Sequence, residues 1–197
     1  YDEAERIVTE LSRQAAMLDR EDRQALQRLQ GDLYLKKGLY PKAAAAYADV
    51  PASEMPDAAA LHRSYGIALR FSDACPSALQ QFQLAIRRSE KDKAAHSRVI
   101  QDALAGSGDC HLQSRNYAEA VSAYKQAVET AQGGPQNPWT LYHLGKGYVG
   151  MRNLAEANRV FSELKVRTGD DFWNKTIDYT LSDAAWTEKY RKYLPTK

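Results

Sequence analysis

A pattern of small and aromatic residues recurs five times along the 197-residue chain. It is clearest in residues 116–128, NYAEAVSAYKQAV, where Ala120 is followed by Tyr124 and then Ala127. The repeated small residues are Ala4, Ala43, Ala78, Ala120 and Ala157, and four residues after them lie Val8, Tyr47, Phe82, Tyr124 and Phe161. Successive alanines are 39, 35, 42 and 37 residues apart. This period predicts stacked helical hairpins, because one hairpin cannot bury its apolar face alone.

A glycine stands twelve residues before four of these alanines, at Gly31, Gly66, Gly108 and Gly145. Small residues at both positions let two helices approach closely, while larger neighbours fill the space above and below them. The pattern resembles the tetratricopeptide repeat, whose first helix carries Leu-Gly and Tyr and whose second carries Ala, an aromatic residue and Ala. The best copy contains Leu144, Gly145, Tyr148, Ala157 and Phe161.

The resemblance implies an all-α fold, a right-handed superhelical solenoid of antiparallel helix pairs. Residues 1–21 are expected to be the second helix of a truncated repeat, so we expect the chain to be a fragment of a longer protein. Residues 22–170 would form four repeats, and residues 171–197 C-terminal capping helices and a tail. Repeat three is longer than its neighbours, and residues 90–113 contain no proline. The extra length therefore predicts a lengthened first helix, and the alternative is a short break around residues 91–93.

Composition and motifs argue against several functions. The net charge is +2 and 26% of the residues are charged, without the long run of like charges that marks a nucleic-acid-binding arm. The sequence has no apolar stretch of membrane-spanning length, so no direct membrane insertion is expected. The four histidines show no metal-binding spacing, and no hydrolase or nucleotide-binding motif is present. We expect no metal, no cofactor and no catalysis.

In tetratricopeptide repeat proteins, a concave groove is lined by residues three before, one after and four after the repeat glycine. The resemblance implies that the groove residues here, with close neighbours, are Arg28, Asp32, Arg63, Arg70, Asp109, Trp139, Tyr142, His143 and Lys146. This face would be basic around Arg63 and Arg70 and aromatic around Trp139 and Tyr142. These residues are either a solvated polar surface or a groove for a peptide.

The function expected from the resemblance is a non-catalytic scaffold that binds a peptide or partner protein in this groove. The main alternative is a regulatory or assembly arm of a larger enzyme or of an export or envelope complex. Self-association through the N-terminal helix is a third expectation. Repeat proteins that clamp a terminal carboxylate use an Asn directly after the repeat glycine. That subfamily is not expected, because the corresponding residues are Asp32, Ile67, Asp109 and Lys146.

The two cysteines occupy informative repeat positions. Cys75 lies three residues before Ala78, and Cys110 lies two residues after Gly108. In arrays of this kind, the residue three before the repeat alanine contacts the residue two after the glycine of the next repeat. Cys75 and Cys110 can therefore form a disulfide if their Cα atoms lie within about 7 Å. Free core cysteines are the equal alternative. A bridge would imply an oxidising compartment, and a periplasmic or extracellular location is therefore ranked slightly ahead of the cytoplasm.

Overall fold

The computed structural model describes residues 2–51, 57–131 and 137–193, and every regular element within them is a helix. The helices are α1 (Asp2–Arg13), α2 (Arg20–Lys36), α3 (Tyr40–Ala48), α4 (Ala58–Phe71), α5 (Cys75–Ser89), α6 (Ser97–Gln113), α7 (Tyr117–Thr130), α8 (Pro138–Gly150), α9 (Leu154–Thr168) and α10 (Asp171–Tyr190). Short 3-10 turns follow three of them, at Ala15–Met17, Glu90–Asp92 and Arg191–Tyr193. The predicted all-α fold is confirmed, and the hand of the superhelix stays a prediction.

The chain divides into two compact units, residues 1–110 and 111–197. In the first unit, α2 packs against α3, α3 against α4 and α4 against α5. Ala43, Tyr47, Ala78 and Phe82 from the repeat pattern are all fully buried. The Tyr47 ring lies against Gly31, where an added Cβ atom would be 2.5 Å from Cε1 of the ring. The glycine is therefore required for close packing of the two helices of repeat one.

The second unit repeats this arrangement. Helix α8 packs against α7 and α9, and α10 packs against both α8 and α9. The aromatic ring of Phe161 lies against Gly145, and a Cβ atom on that glycine would be 2.2 Å from the ring. Trp173 and Ile177 of α10 are buried with Phe161 in one core cluster. Helix α10 thus covers the last repeat of this unit.

The turn between the two helices is the same in all four repeats. The residue seven positions after the repeat glycine has a positive φ angle in each case: Gly38 (70°), Asp73 (58°), Arg115 (60°) and Arg152 (61°). The next backbone N–H donates to the carbonyl oxygen five residues before it, at 2.9 Å in every repeat. This is the hydrogen bond of a Schellman-type helix end. Only one of the four turns carries glycine, the residue that adopts this conformation without strain.

Helix caps position Trp139 and Phe172 in the first turns of α8 and α10. Asn137 caps α8 by accepting a hydrogen bond from the backbone N–H of Trp139 at 3.0 Å, and Pro138 follows it in the first turn. Asp170 caps α10 in the same way, accepting from the N–H of Phe172 at 2.8 Å. Side-chain caps and an early proline both favour a helix start at these points. Trp139 and Phe172 therefore occupy equivalent first-turn positions.

The predicted lengthened first helix of repeat three is wrong. Helix α5 ends at Ser89, a 3-10 turn covers Glu90–Asp92, and α6 begins only at Ser97. The cause is Asp92, whose side chain accepts a hydrogen bond from the N–H of Ala95 at 3.0 Å. Local side-chain bonding of this kind competes with helix continuation. The alternative of a short break near residues 91–93 is correct.

Candidate protein-interaction site

In the first unit, the arginines of α4 are paired with carboxylates of α6. Arg63 Nη1 lies 3.3 Å from Asp102 Oδ2, and Arg70 Nη1 lies 2.8 Å from Asp109 Oδ2. Both pairs are largely buried, and the side chains of Arg70 and Asp109 are only 22% and 19% exposed. The spacing is seven residues on each helix, so the pairs recur after two helical turns. The expectation of a basic surface around Arg63 and Arg70 is therefore wrong, because neighbouring carboxylates compensate both charges.

The third predicted arginine is also engaged. Arg28 donates hydrogen bonds to both carboxylate oxygens of Asp57, and its Nε lies 3.9 Å from Asp32. The Tyr47 hydroxyl donates to Asp32 at 2.5 Å. The hydrogen bonds from Arg28 lower the pKa of Asp57, while burial and then the bond to Asp32 raise the pKa of Tyr47 above its ordinary range. Arg28 and Asp32 thus hold α2, α3 and the start of α4 together.

In the second unit, the predicted residues of α8 form an aromatic surface. Trp139, Tyr142, His143 and Lys146 lie on one face of α8, because their spacing is 3, 4 and 7 residues from Trp139. The Trp139 ring is 5.9 Å from the ring centroids of Tyr142 and His143. Trp139 is 48% exposed even with these neighbours. A large aromatic side chain is thus presented to solvent from an ordered first turn.

Helix α10 completes this surface. The Trp139 ring centroid is 4.8 Å from that of Trp173 and 6.0 Å from that of Phe172, in edge-to-face arrangements. Phe172 is 50% exposed, and Trp173 is buried beneath. We call the two exposed rings, Trp139 and Phe172, together with the buried rings of Tyr142 and Trp173, the aromatic patch.

The floor of the aromatic patch is fixed by polar and apolar contacts. The Tyr142 hydroxyl and Thr180 Oγ1 form a hydrogen bond of 2.9 Å between α8 and α10. The Tyr142 ring also packs 6.0 Å from that of Phe161 in the core. Buried aromatic rings with a satisfied hydroxyl lose little further conformational freedom on binding. The patch is therefore largely formed before any partner arrives.

Lys146 is the charged residue beside the aromatic patch. Its side chain is exposed, and Nζ lies 5.8 Å from the ring centroid of Tyr142. Among the residues that the structure describes, it forms no ion pair. Lys146 therefore contrasts with Arg28, Arg63 and Arg70, each of which carries its own carboxylate.

Three contributors were missed by the sequence analysis. Asp57 and Asp102, which neutralise the arginines, lie outside the repeat positions that were expected to face the groove. Phe172 was assigned to a capping helix, without a role in the site. One signal could have found it, since Phe172 follows Trp139 by 33 residues and therefore by about one repeat.

The structure joins Cys75, at the start of α5, to Cys110 on α6 by a disulfide. The sulfur atoms are 2.23 Å apart and the Cα atoms are 5.3 Å apart. Both cysteines are buried in one core cluster with Phe82. The bond therefore links repeat two to the first helix of repeat three.

The remaining features concern metal ligands, membrane-spanning helices and the surface of α1. Residues 2–51, 57–131 and 137–193 contain no group of three or more His, Cys, Asp or Glu side chains placed to hold a metal ion. In these same residues, no helix is long and apolar enough to cross a membrane. A cavity of about 360 Å³ is lined by Arg6, Ile7, Glu10 and Leu11 of α1. Self-association through this helix stays a prediction.

The stacked helical hairpins place the chain in the class of helical repeat proteins. Comparison with known proteins agrees with this architecture. A family model described as tetratricopeptide repeat matches residues 28–93 and, in a second match, residues 75–138. Together the matches cover more than half of the chain, which belongs to the tetratricopeptide repeat family. Members generally mediate protein–protein interactions and are typically non-catalytic. A search of curated proteins finds no match.

Proposed function

We propose that this chain is a non-catalytic scaffold that binds a partner protein through the aromatic patch on α8 and α10. The observation that carries the proposal is the pair of half-exposed rings, Trp139 and Phe172, 6.0 Å apart on a buried aromatic floor. Aromatic side chains supply much of the binding free energy in protein interfaces. Two of them side by side in solvent are better accounted for by a partner than by stability of the isolated chain.

The charged positions of α2, α4 and α6 support the fold in this proposal. A ligand carboxylate at Arg70 would have to displace Asp109, which lies 2.8 Å away and is mostly buried with it. Displacement would leave that carboxylate without its partner, at a cost of about 1–3 kcal/mol, less than for a fully buried pair. Arg63, paired with Asp102, is constrained in the same way. Partner binding is therefore assigned to α8 and α10 in preference to the arginines.

We also propose that the protein works in an oxidising compartment, either periplasmic or extracellular. The support is the Cys75–Cys110 disulfide, since such bonds persist mainly where thiols are not kept reduced. An assembly arm of a larger enzyme or envelope complex would use the same aromatic patch. Identification of the partner would distinguish that role from a free-standing scaffold.

Photo-crosslinking in the native cell tests the proposed function. A benzoylphenylalanine residue replaces Trp139 in the full-length protein, and the matched control replaces Lys125, which is exposed on α7 outside the patch. We expect a defined crosslinked protein from position 139 that is absent from position 125. The same adducts from both positions, or none from position 139, would contradict the proposal.

A further inference from the structure

The geometry points to the class of ligand that the aromatic patch accepts, an acidic peptide segment with one aromatic or large aliphatic anchor residue. This inference rests on the function proposed above and adds the chemistry of the partner. It follows from three features of the second unit: the exposed rings, the position of Lys146, and the pairing of the surrounding charges.

The anchor is required by the exposed rings. Trp139 meets Phe172 and Trp173 edge to face, with interplanar angles of 67° and 74°. A further apolar side chain placed against Trp139 and Phe172 would remove their exposed area from water and extend the same packing. A flexible polar side chain would leave that area poorly covered. The residue that binds here is therefore aromatic or a large aliphatic.

The acidic residue is required by Lys146. Lys146 follows Trp139 by seven residues on α8, which corresponds to about 10 Å along the helix. An extended peptide covers about 3.3 Å per residue. A carboxylate about three residues from the anchor therefore reaches Lys146 while the anchor covers Trp139. Because Lys146 makes no ion pair within the described residues, the carboxylate displaces no existing partner.

Two carboxylates of α10 are engaged with cations other than Lys146. Asp171, at the start of α10, pairs with Lys175 at 3.2 Å. Asp178, about two helical turns further, pairs with Lys165 of α9 at 2.7 Å. These carboxylates are already matched by cations of the same unit. Asp170, beside Phe172, is engaged as the cap of α10, where its charge faces the helix N-terminus. Lys146 is therefore a positive charge near the aromatic patch with no ion pair in the described residues, and it favours an acidic ligand over a basic one.

Peptide selection with the purified full chain tests this inference. A displayed library of random 12-residue peptides is selected against the wild type, Lys146→Glu, Trp139→Ala and the control Lys125→Glu. We expect the wild type and Lys125→Glu to enrich Asp or Glu about three residues from Phe, Trp, Leu or Ile. Lys146→Glu should instead enrich Lys or Arg at that distance, because the charge beside the patch is reversed.

The best selected peptide is then measured by fluorescence anisotropy. Trp139→Ala should weaken binding by about tenfold or more, as expected for an anchor contact. Lys146→Glu should weaken it by about threefold to tenfold, and the wild-type affinity should fall as salt is added. Lys125→Glu should change affinity by less than about twofold. Circular dichroism of each variant checks that the fold is retained.

The outcomes separate this inference from the proposed function. Selected peptides that require Trp139 but show no preference for acidic residues, or prefer basic ones, would overturn the inferred ligand class. The proposed function would still hold in that case. Enrichment that is unaffected by Trp139→Ala contradicts both. A wild-type chain that enriches no peptide contradicts the inference, and crosslinking at position 139 then decides the proposed function separately.

Discussion

Phe82 fills the space that a Cβ atom on Gly106 would need. Such an atom would lie 2.4 Å from Cζ of the Phe82 ring, and one on Gly66 would lie 2.6 Å from Cε1. Real Cβ atoms essentially never come closer than 3.0 Å to such neighbours. The ring itself is fully buried. Helices α4, α5 and α6 therefore meet around one side chain that tolerates no substituent on either glycine.

The close contact at Gly106 predicts a reversed effect of alanine. In an ordinary helix interior, Gly→Ala stabilises by about 0.5–1 kcal/mol. Gly106→Ala should instead lower the free energy of unfolding by about 1–3 kcal/mol, because the new methyl group overpacks the site. Urea unfolding followed by circular dichroism measures the change. In a Phe82→Leu background the loss should shrink, and a stabilised Gly106→Ala variant would contradict the close contact.

The repeated turn predicts a stabilising substitution. Arg152 has a φ angle of 61°, a conformation that disfavours side chains but suits glycine. Arg152→Gly should raise the free energy of unfolding by about 0.5–1 kcal/mol, after the larger entropy loss of glycine on folding is subtracted. The control, Arg159→Gly within α9, should lower it by about 1 kcal/mol. If both variants lose stability equally, the turn conformation is not as described.

The Arg70–Asp109 pair predicts a structural role for Arg70. Arg70→Ala removes the ion pair and the stacking of the guanidinium on Phe71, whose ring centroid is 3.8 Å away. We expect a loss of about 1–3 kcal/mol of unfolding free energy, less than for a fully buried pair. Arg159→Ala, which breaks an exposed pair with Glu156, should cost less than about 1 kcal/mol. Equal losses in denaturant titrations would refute the distinction.

The Arg28–Asp57 pair predicts a pH-dependent contribution to stability. Hydrogen bonds from Arg28 lower the pKa of folded Asp57 below its ordinary value of 3.8. A lowered carboxyl pKa stabilises the fold above the unfolded-state pKa, and the effect is lost as the pH falls through the folded pKa. Asp57→Asn should therefore cost more unfolding free energy at pH 7 than at about pH 3. Arg28→Ala should abolish this difference, which urea titrations at both pH values would show.

The disulfide predicts a difference between reduced and oxidised protein. Alkylation under denaturing conditions without reductant should leave the mass of the purified chain unchanged. Replacing Cys75 and Cys110 together by alanine should cost about 2–4 kcal/mol of unfolding free energy, the usual range for a native bond. Reductant should lower the unfolding temperature of the wild type but not of the double variant. Two alkylated thiols in the unreduced protein would remove both the bond and the support for an oxidising compartment.

The sequence predicts well those buried residues whose packing is determined within a single repeat. Burial of Ala78 and Phe82 follows from the repeat period, because each hairpin must solve the same packing problem. Asp102 could not be assigned to Arg63, because the pairing joins different repeats at positions that the repeat pattern leaves variable. The break at Asp92 depends on one side chain that competes for a backbone N–H. Phe172 lies beyond the last complete repeat, where the pattern no longer predicts which side chains are exposed.

The two halves of the Cys75–Cys110 bond belong to different repeats, and this restricts how the array can change in evolution. Loss of one whole period between Gly66 and Gly108 would remove Cys75 and leave Cys110 as an odd thiol. Duplication of the same period would add a third cysteine. Where thiols are oxidised, an odd cysteine favours pairing between molecules. The bond therefore opposes gain or loss of a single repeat at this junction, a constraint that non-covalent packing between repeats does not impose.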